Sequence, residues 1–151
     1  MTTTLLRPAR RPEARGFSPT LASRLLGINY NTILYWTRTR LVRASIQYQS
    51  KQWTPVLFSF DDLLELRLVQ SLREKGAPTR RIRKALNFLR KHAPEVAYLD
   101  VSSDAIRQVS PGDAIRDTLG RDGTLVVFDV GGWRADLEAR LSRLTEARRL
   151  A

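Results

Sequence analysis

The sequence predicts a mainly α-helical protein with small β elements: a winged helix-turn-helix, then a small strand-containing segment and a terminal helix. Three observations carry this reading. Phe17–Val42 holds two short helical patterns joined by a glycine-containing turn. Residues 42–58 switch to an alternating pattern. Two further helical repeats follow, and the charge balance then reverses toward the C-terminus.

The first helix is expected to start at Ser18 as N-cap, with Pro19 at its first position, where a missing N–H is harmless. Leu21, Ala22, Leu25 and Leu26 form its apolar face, and Gly27 ends it. Ile28 fills the turn. Asn29 caps a second helix that runs to about Arg38, with Ile33, Trp36 and Thr37 on one side. Tyr30, Asn31, Leu34, Tyr35 and Arg38 lie on or near the other side. Ser45–Tyr48 and Gln52–Thr54, linked by Gln49-Ser50-Lys51, read as a hairpin and hence a wing.

Ser59 with Asp62 three residues on is a capping-box variant. It predicts a third helix over about 60–75, with Phe60, Leu63, Leu64, Leu68 and Leu72 inward. Gly76-Ala77-Pro78 stops it. A fourth helix is expected over about 78–91, with Ile82, Leu86 and Leu89 on its core face and Arg80, Arg81, Arg83, Lys84, Arg90 and Lys91 on its outer faces. Beyond Pro94, residues 105–109, 114–119 and 124–130 read as short strands, the second equally as one helical turn. Gly131-Gly132 is expected to break the chain. Residues 133–150 then form a helix with Trp133, Leu137, Leu141 and Leu144 at three- and four-residue spacing.

The expected organisation is a disordered basic arm over 1–16, a DNA-binding domain over 17–93, and a small α+β segment over 94–151 for dimerisation or partner binding. The arm carries Arg7, Arg10, Arg11 and Arg15 between Pro8 and Pro12. The formal net charge of +11 is unevenly spread. Residues 1–58 hold nine Lys/Arg against one acid, and residues 59–93 hold nine against four. Residues 94–151 hold eight against ten, so the positive field covers the front two-thirds and suggests a polyanion partner there.

Composition also excludes functions. No cysteine and one histidine leave disulfides, thiolate chemistry and structural zinc without ligands. No nucleophile–base pair, phosphate loop or metal cluster appears, so neither an enzyme nor a cofactor is expected. Asp61 and Asp62 sit where first-turn acids complement a helix dipole, and His92 ends a helix for the complementary reason. No apolar run approaches the roughly 20 residues of a membrane helix, and a cytoplasmic protein is expected.

The order helix-turn-helix, wing, capped helix, glycine stop, basic helix resembles the DNA-binding domain of the MerR superfamily. The matching residues are Ala22, Leu25-Leu26-Gly27-Ile28, Thr32-Ile33, Tyr35-Trp36, Leu41, Phe58–Leu63, Leu72–Gly76 and Ile82–Leu86. The resemblance covers about residues 17–92. Leu34 stands where that family usually has Arg, so no contact is expected from it. The chain lacks the long dimerisation helix and the ligand- or metal-binding cysteines of MerR activators. Val56–Phe60 with Leu63, Glu65 and Leu66, then Arg81–Leu86 and Phe88-Leu89, more loosely resembles the winged-helix antitoxins of VapBC-type modules.

Double-stranded DNA is therefore the expected partner. Arg7, Arg10, Arg11, Arg24, Arg40, Arg43 and Lys51 are candidates for phosphates. Asn31 suits an adenine edge and Arg38 a guanine or phosphate, with Tyr30 and Tyr35 offering hydroxyls and flat faces. Ser18, Thr20 and Thr32 complete the candidate DNA-facing set. Trp36 is expected in the core, and Trp53 near the wing tip is either a cover for the first helix or a minor-groove probe. The stripe Trp133, Leu137, Leu141 and Leu144 packs on the small sheet, forms a homodimer interface or partner interface, or does both. The expected function is a sequence-specific transcriptional regulator acting as a dimer. The alternatives are an antitoxin whose C-terminal segment binds a toxin protein, and an excisionase-like DNA-bending factor.

Overall fold

The computed structural model describes residues 16–46, 56–92, 96–101, 106–110 and 127–150. Among the described residues, five helices and three strands follow in the order α1 (Pro19–Leu26), α2 (Tyr30–Arg38), α3 (Phe60–Glu74), α4 (Thr79–His92), β1 (Tyr98–Asp100), β2 (Arg107–Val109), β3 (Val127–Asp129) and α5 (Val130–Leu150). The chain forms two compact units, residues 1–70 and 71–151.

In the first unit, local chemistry sets the helix ends. The Ser18 hydroxyl accepts from the Leu21 amide at 3.1 Å, and Pro19 opens α1. Gly27 closes it at φ 67°, where a side chain would crowd the neighbouring carbonyl. Ala22 and Leu25 are buried while Leu21 and Leu26 are half-buried, so the expected apolar face is present. Asn29 caps α2 through its side-chain oxygen, which accepts from the Asn31 amide at 2.8 Å. The Ser23 hydroxyl donates to the Ile28 carbonyl at 2.6 Å, tying α1 to the turn.

Most of the expected wing, residues 47–55 with Trp53, lies outside the described residues. Its base is described. Ile46 pairs antiparallel with Leu57, and Phe17 pairs antiparallel with Phe58. Phe17 and Phe58 exchange both backbone hydrogen bonds at 2.8 Å, and Phe58 is fully buried. Gly16 lies beside this ribbon: a Cβ there would stand 2.8 Å from Leu57 Cβ and 3.1 Å from Ile46 Cγ2. Residues 1–15 of the expected arm lie outside the described residues.

The capping box at α3 forms reciprocally. The Asp62 amide donates to Ser59 Oγ at 3.0 Å, and Asp62 Oδ2 accepts from the Ser59 amide at 2.9 Å. The same oxygen accepts from the Ser45 amide at 2.7 Å and the Ser45 hydroxyl at 2.6 Å. Asp62 is thus a buried brace between the wing base and α3, and not only a first-turn acid. α3 is buried around most of its circumference, including Leu66, Val69 and Glu65 beyond the expected face, whereas Phe60 is half-buried.

In the second unit, Gly76 and Ala77 close α3, and α4 buries Ile82, Ala85, Leu86 and Leu89. Arg80, Arg83, Lys84 and Lys91 are exposed and Arg81 and Arg90 half-buried, as the helical repeat requires. His92 stacks on Phe88 with ring centroids 4.2 Å apart. The sheet order is β2-β1-β3, antiparallel throughout, with Leu99 opposite Gln108 and Phe128. Asp100 is buried opposite Arg107, whose Nε donates to Asp100 Oδ2 at 2.8 Å.

Three expectations change here. The central strand β1 had no counterpart in the expected elements, although Val96–Val101 is rich in strand formers. The expected strand over 124–130 ends one residue early, because Val130 already begins α5, and residues 124–126 lie outside the described residues. Gly131-Gly132 does not break the chain but lies in the first turn of α5, because Asp129 Oδ1 accepts from the Gly132 amide at 2.7 Å and starts the helix there. The expected strand over 114–119 lies outside the described residues. On α5, Leu137 is buried, Trp133 and Leu141 are half-buried and Leu144 is exposed. Trp133 faces Phe128 with ring centroids 5.2 Å apart, and α5 packs on β1.

Candidate nucleic-acid interface

An α-helix advances about 100° per residue, so α2 can be read as a wheel. Ile33 and Trp36 occupy one side and are buried at 0% and 7% exposure. Their burial against the first unit's core orients the rest. Tyr30, Asn31, Tyr35 and Arg38 fall on an opposite arc of about 140° and are all exposed, Tyr35 at 58%. Leu34 lies within this arc, half-buried. Thr32 and Thr37 flank the core side and are half-buried.

Neighbouring polar groups are already committed to the fold. Thr37 and Thr39 hydroxyls donate to the Ile33 and Tyr35 carbonyls at 2.8 and 2.9 Å. Asn29 supplies the cap, so the Asn31 amide side chain is not needed for it. Among the described residues the Asn31 side chain has no hydrogen-bond partner, and it projects both donors and an acceptor outward. This resolves the alternative that Asn31 helps cap the helix: its backbone N–H is capped and its side chain is not the cap.

Ser18 and Thr20 are exposed at the start of α1, although the Ser18 oxygen accepts the capping bond. Arg24, Arg38, Arg40 and Arg43 are exposed, with no ion-pair partner among the described residues. No acidic residue occurs between Glu13 and Asp61, so nothing in this stretch of sequence neutralises them. Trp36 is a core residue, as expected. Arg7, Arg10, Arg11 and Lys51 lie outside the described residues. Trp133, Leu137, Leu141 and Leu144 belong to the second unit, where Leu137 is buried and Leu144 is exposed.

Sequence reasoning named Arg40 among the phosphate candidates but missed its backbone conformation, and it missed the second role of Asp62. Asp62 braces the wing base from 17 residues away, a pairing that no local pattern announces. Arg40 has positive φ, 61°, at a position where glycine is usual. The signal for Arg40 was present: it sits two residues past α2, immediately before the apolar pair Leu41-Val42.

No helix among the described residues is long and apolar enough to cross a membrane. HTH-type transcriptional regulators of Mycobacterium bovis and of two strains of Mycobacterium tuberculosis, themselves uncharacterized, are each 29% identical over 141 residues. The alignments cover 82% of this chain and 63% of each relative, so the chain spans less than two thirds of the relatives' length. Residues 17–89 match the family described as MerR HTH family regulatory protein, a family of regulators and not of enzymes. With its capped helix pair, glycine turn and paired wing base, this segment is a MerR-family helix-turn-helix regulatory domain.

Proposed function

We propose that this chain is a sequence-specific double-stranded DNA-binding transcriptional regulator, cytoplasmic, acting as a dimer with α2 in the major groove. The observation that carries this reading is the division of α2 itself: Ile33 and Trp36 anchor one side, while Tyr30, Asn31, Tyr35 and Arg38 stand exposed on the other. A helix held this way presents base-reading groups without unfolding. Asn31 reads an adenine edge and the Tyr35 ring meets a thymine methyl; Tyr30, Thr32, Ser18 and Thr20 meet sugar and phosphate; Arg38 meets a guanine or a phosphate. Arg24, Arg40, Arg43 and Lys51, with Arg7, Arg10 and Arg11, neutralise phosphates and supply most of the affinity.

In this proposal residues 17–93 read DNA and residues 94–151 join two copies. Leu141 and Leu144, left incompletely covered on α5, extend the face that Trp133 and Leu137 begin. Two copies would read two half-sites about 34 Å apart. The mycobacterial relatives, named as HTH-type transcriptional regulators, support a regulator over an antitoxin or a bending factor.

Selection of bound duplexes from a random pool tests the proposal, followed by binding of Asn31→Ala and Tyr35→Ala to the selected and random duplexes. Each substitution is expected to weaken binding to the selected duplex by about 1–3 kcal/mol and random binding far less. Equal losses on both duplexes would refute base reading by α2.

A further inference from the structure

Among the described residues, Arg40 alone combines a side chain with a left-handed backbone, at φ 61°. The cause is the way α2 ends. The Arg40 amide donates to the Thr37 carbonyl at 3.1 Å, and the Leu41 amide donates to the Trp36 carbonyl at 2.9 Å. This pair of bonds closes a helix only when the residue between them turns left-handed. The turn then delivers Leu41 and Val42 to buried positions.

The chain contains the same motif a second time, with the usual solution. At the end of α3 the Gly76 amide donates to the Arg73 carbonyl at 3.0 Å, and the Ala77 amide donates to the Leu72 carbonyl at 3.0 Å. There the left-handed position is glycine, at φ 76°. Glycine also ends α1 at φ 67°. The backbone geometry therefore does not require Arg at position 40, and a Cβ there is unfavourable. Nothing among the described residues offsets that cost: the Arg40 guanidinium is exposed and has neither a hydrogen bond nor an ion pair. Arg38 already places a positive charge in the last turn of α2, where it complements the helix dipole.

We propose that arginine, and not glycine, occupies this left-handed position because its guanidinium binds a phosphate of duplex DNA, so that this position exchanges fold stability for affinity. The proposal rests on the DNA-binding reading above. A planar guanidinium pairs with phosphate oxygens through two parallel hydrogen bonds, and exposed Arg38 and Arg43 on either side in sequence add positive charge. Backbone strain kept at an exposed, unpartnered cation is expected where the side chain acts on something outside the chain.

The test uses the full chain and three variants, Arg40→Gly, Arg40→Asn and Arg40→Lys. Thermal unfolding is measured beside fluorescence anisotropy titrations on a duplex selected from a random pool and on a random duplex, over a range of salt. Arg40→Gly is expected to raise Tm by about 2–4 °C. It is expected to weaken binding about tenfold on both duplexes and to flatten the salt slope by about 0.9. Arg40→Asn, which tolerates the left-handed region without charge, should follow the glycine variant, and Arg40→Lys should keep the wild-type salt slope. Unchanged binding by the glycine and asparagine variants overturns this inference while leaving the DNA-binding reading intact. So does lost binding accompanied by a lower Tm in both, which marks a structural role. A wild-type chain that binds no duplex at low salt overturns both.

Discussion

Replacing Asp62 separates the brace at the wing base from the general stability of α3. One oxygen, Asp62 Oδ2, accepts from the Ser45 amide at 2.7 Å, the Ser45 hydroxyl at 2.6 Å and the Ser59 amide at 2.9 Å. Asp62 is 3% exposed, so water does not readily substitute for these bonds. Asp62→Ala removes the acceptor and leaves two backbone amides short of a partner. A hydrogen bond to a charged group contributes about 1.5–3 kcal/mol, and three bonds sharing one oxygen are not additive. A loss of about 3 kcal/mol is expected, which at this chain length lowers Tm by roughly 6–12 °C. Asp62→Asn keeps an oxygen that can occupy the same point but removes the charge. Neutral hydrogen bonds are roughly half as strong, so about half the loss is expected. Urea denaturation of the wild type and both variants, fitted with a common m-value, measures the difference. If the asparagine variant is as unstable as the alanine variant, or the alanine variant loses under about 1 kcal/mol, the hydrogen-bond account of this brace is wrong.

Gly16→Ala should destabilise the first unit by about 1–3 kcal/mol, because its new methyl meets Leu57 Cβ at 2.8 Å and the ribbon must move apart; a denaturation midpoint equal to wild type would show that the ribbon yields freely. Asp129→Ala removes the cap on the Gly132 amide and should cost about 0.5–2 kcal/mol, while Asp129→Asn, itself a good cap, should cost little. Hydrogen exchange at the Gly132 amide reads that difference directly, and equal protection in all three proteins would contradict the cap.

Much of the candidate interface was legible before any tertiary structure. Ser18 with Pro19, Gly27, and Asn29 each act on groups within a few residues, and their caps appear where the pattern put them. The side of α2 that faces outward followed from one periodicity, with Ile33 and Trp36 buried and Tyr30, Asn31, Tyr35 and Arg38 exposed. Gly131-Gly132 misled for an equally local reason. A glycine pair ordinarily breaks a helix, but the Asp129 carboxylate just before it caps one.

The sequence by itself determined the helix pair, its turn, the capped start of α3 and the basic outer face of α4. Each of these depends on dihedral preferences and hydrogen bonds that close within about five residues, together with an apolar repeat that names its own buried side. Only the tertiary structure decided that Tyr98–Asp100 is the central strand, that Asp62 reaches back to Ser45, and that Arg40 turns left-handed. A three-residue strand has no stability of its own and exists only through the neighbours it pairs with. Asp62 and Ser45 meet because separate segments pack together, and Arg40 bends because Leu41 and Val42 are buried just after it. Contacts distant in sequence leave no periodic trace, so their residues become readable only once the chain has closed on itself.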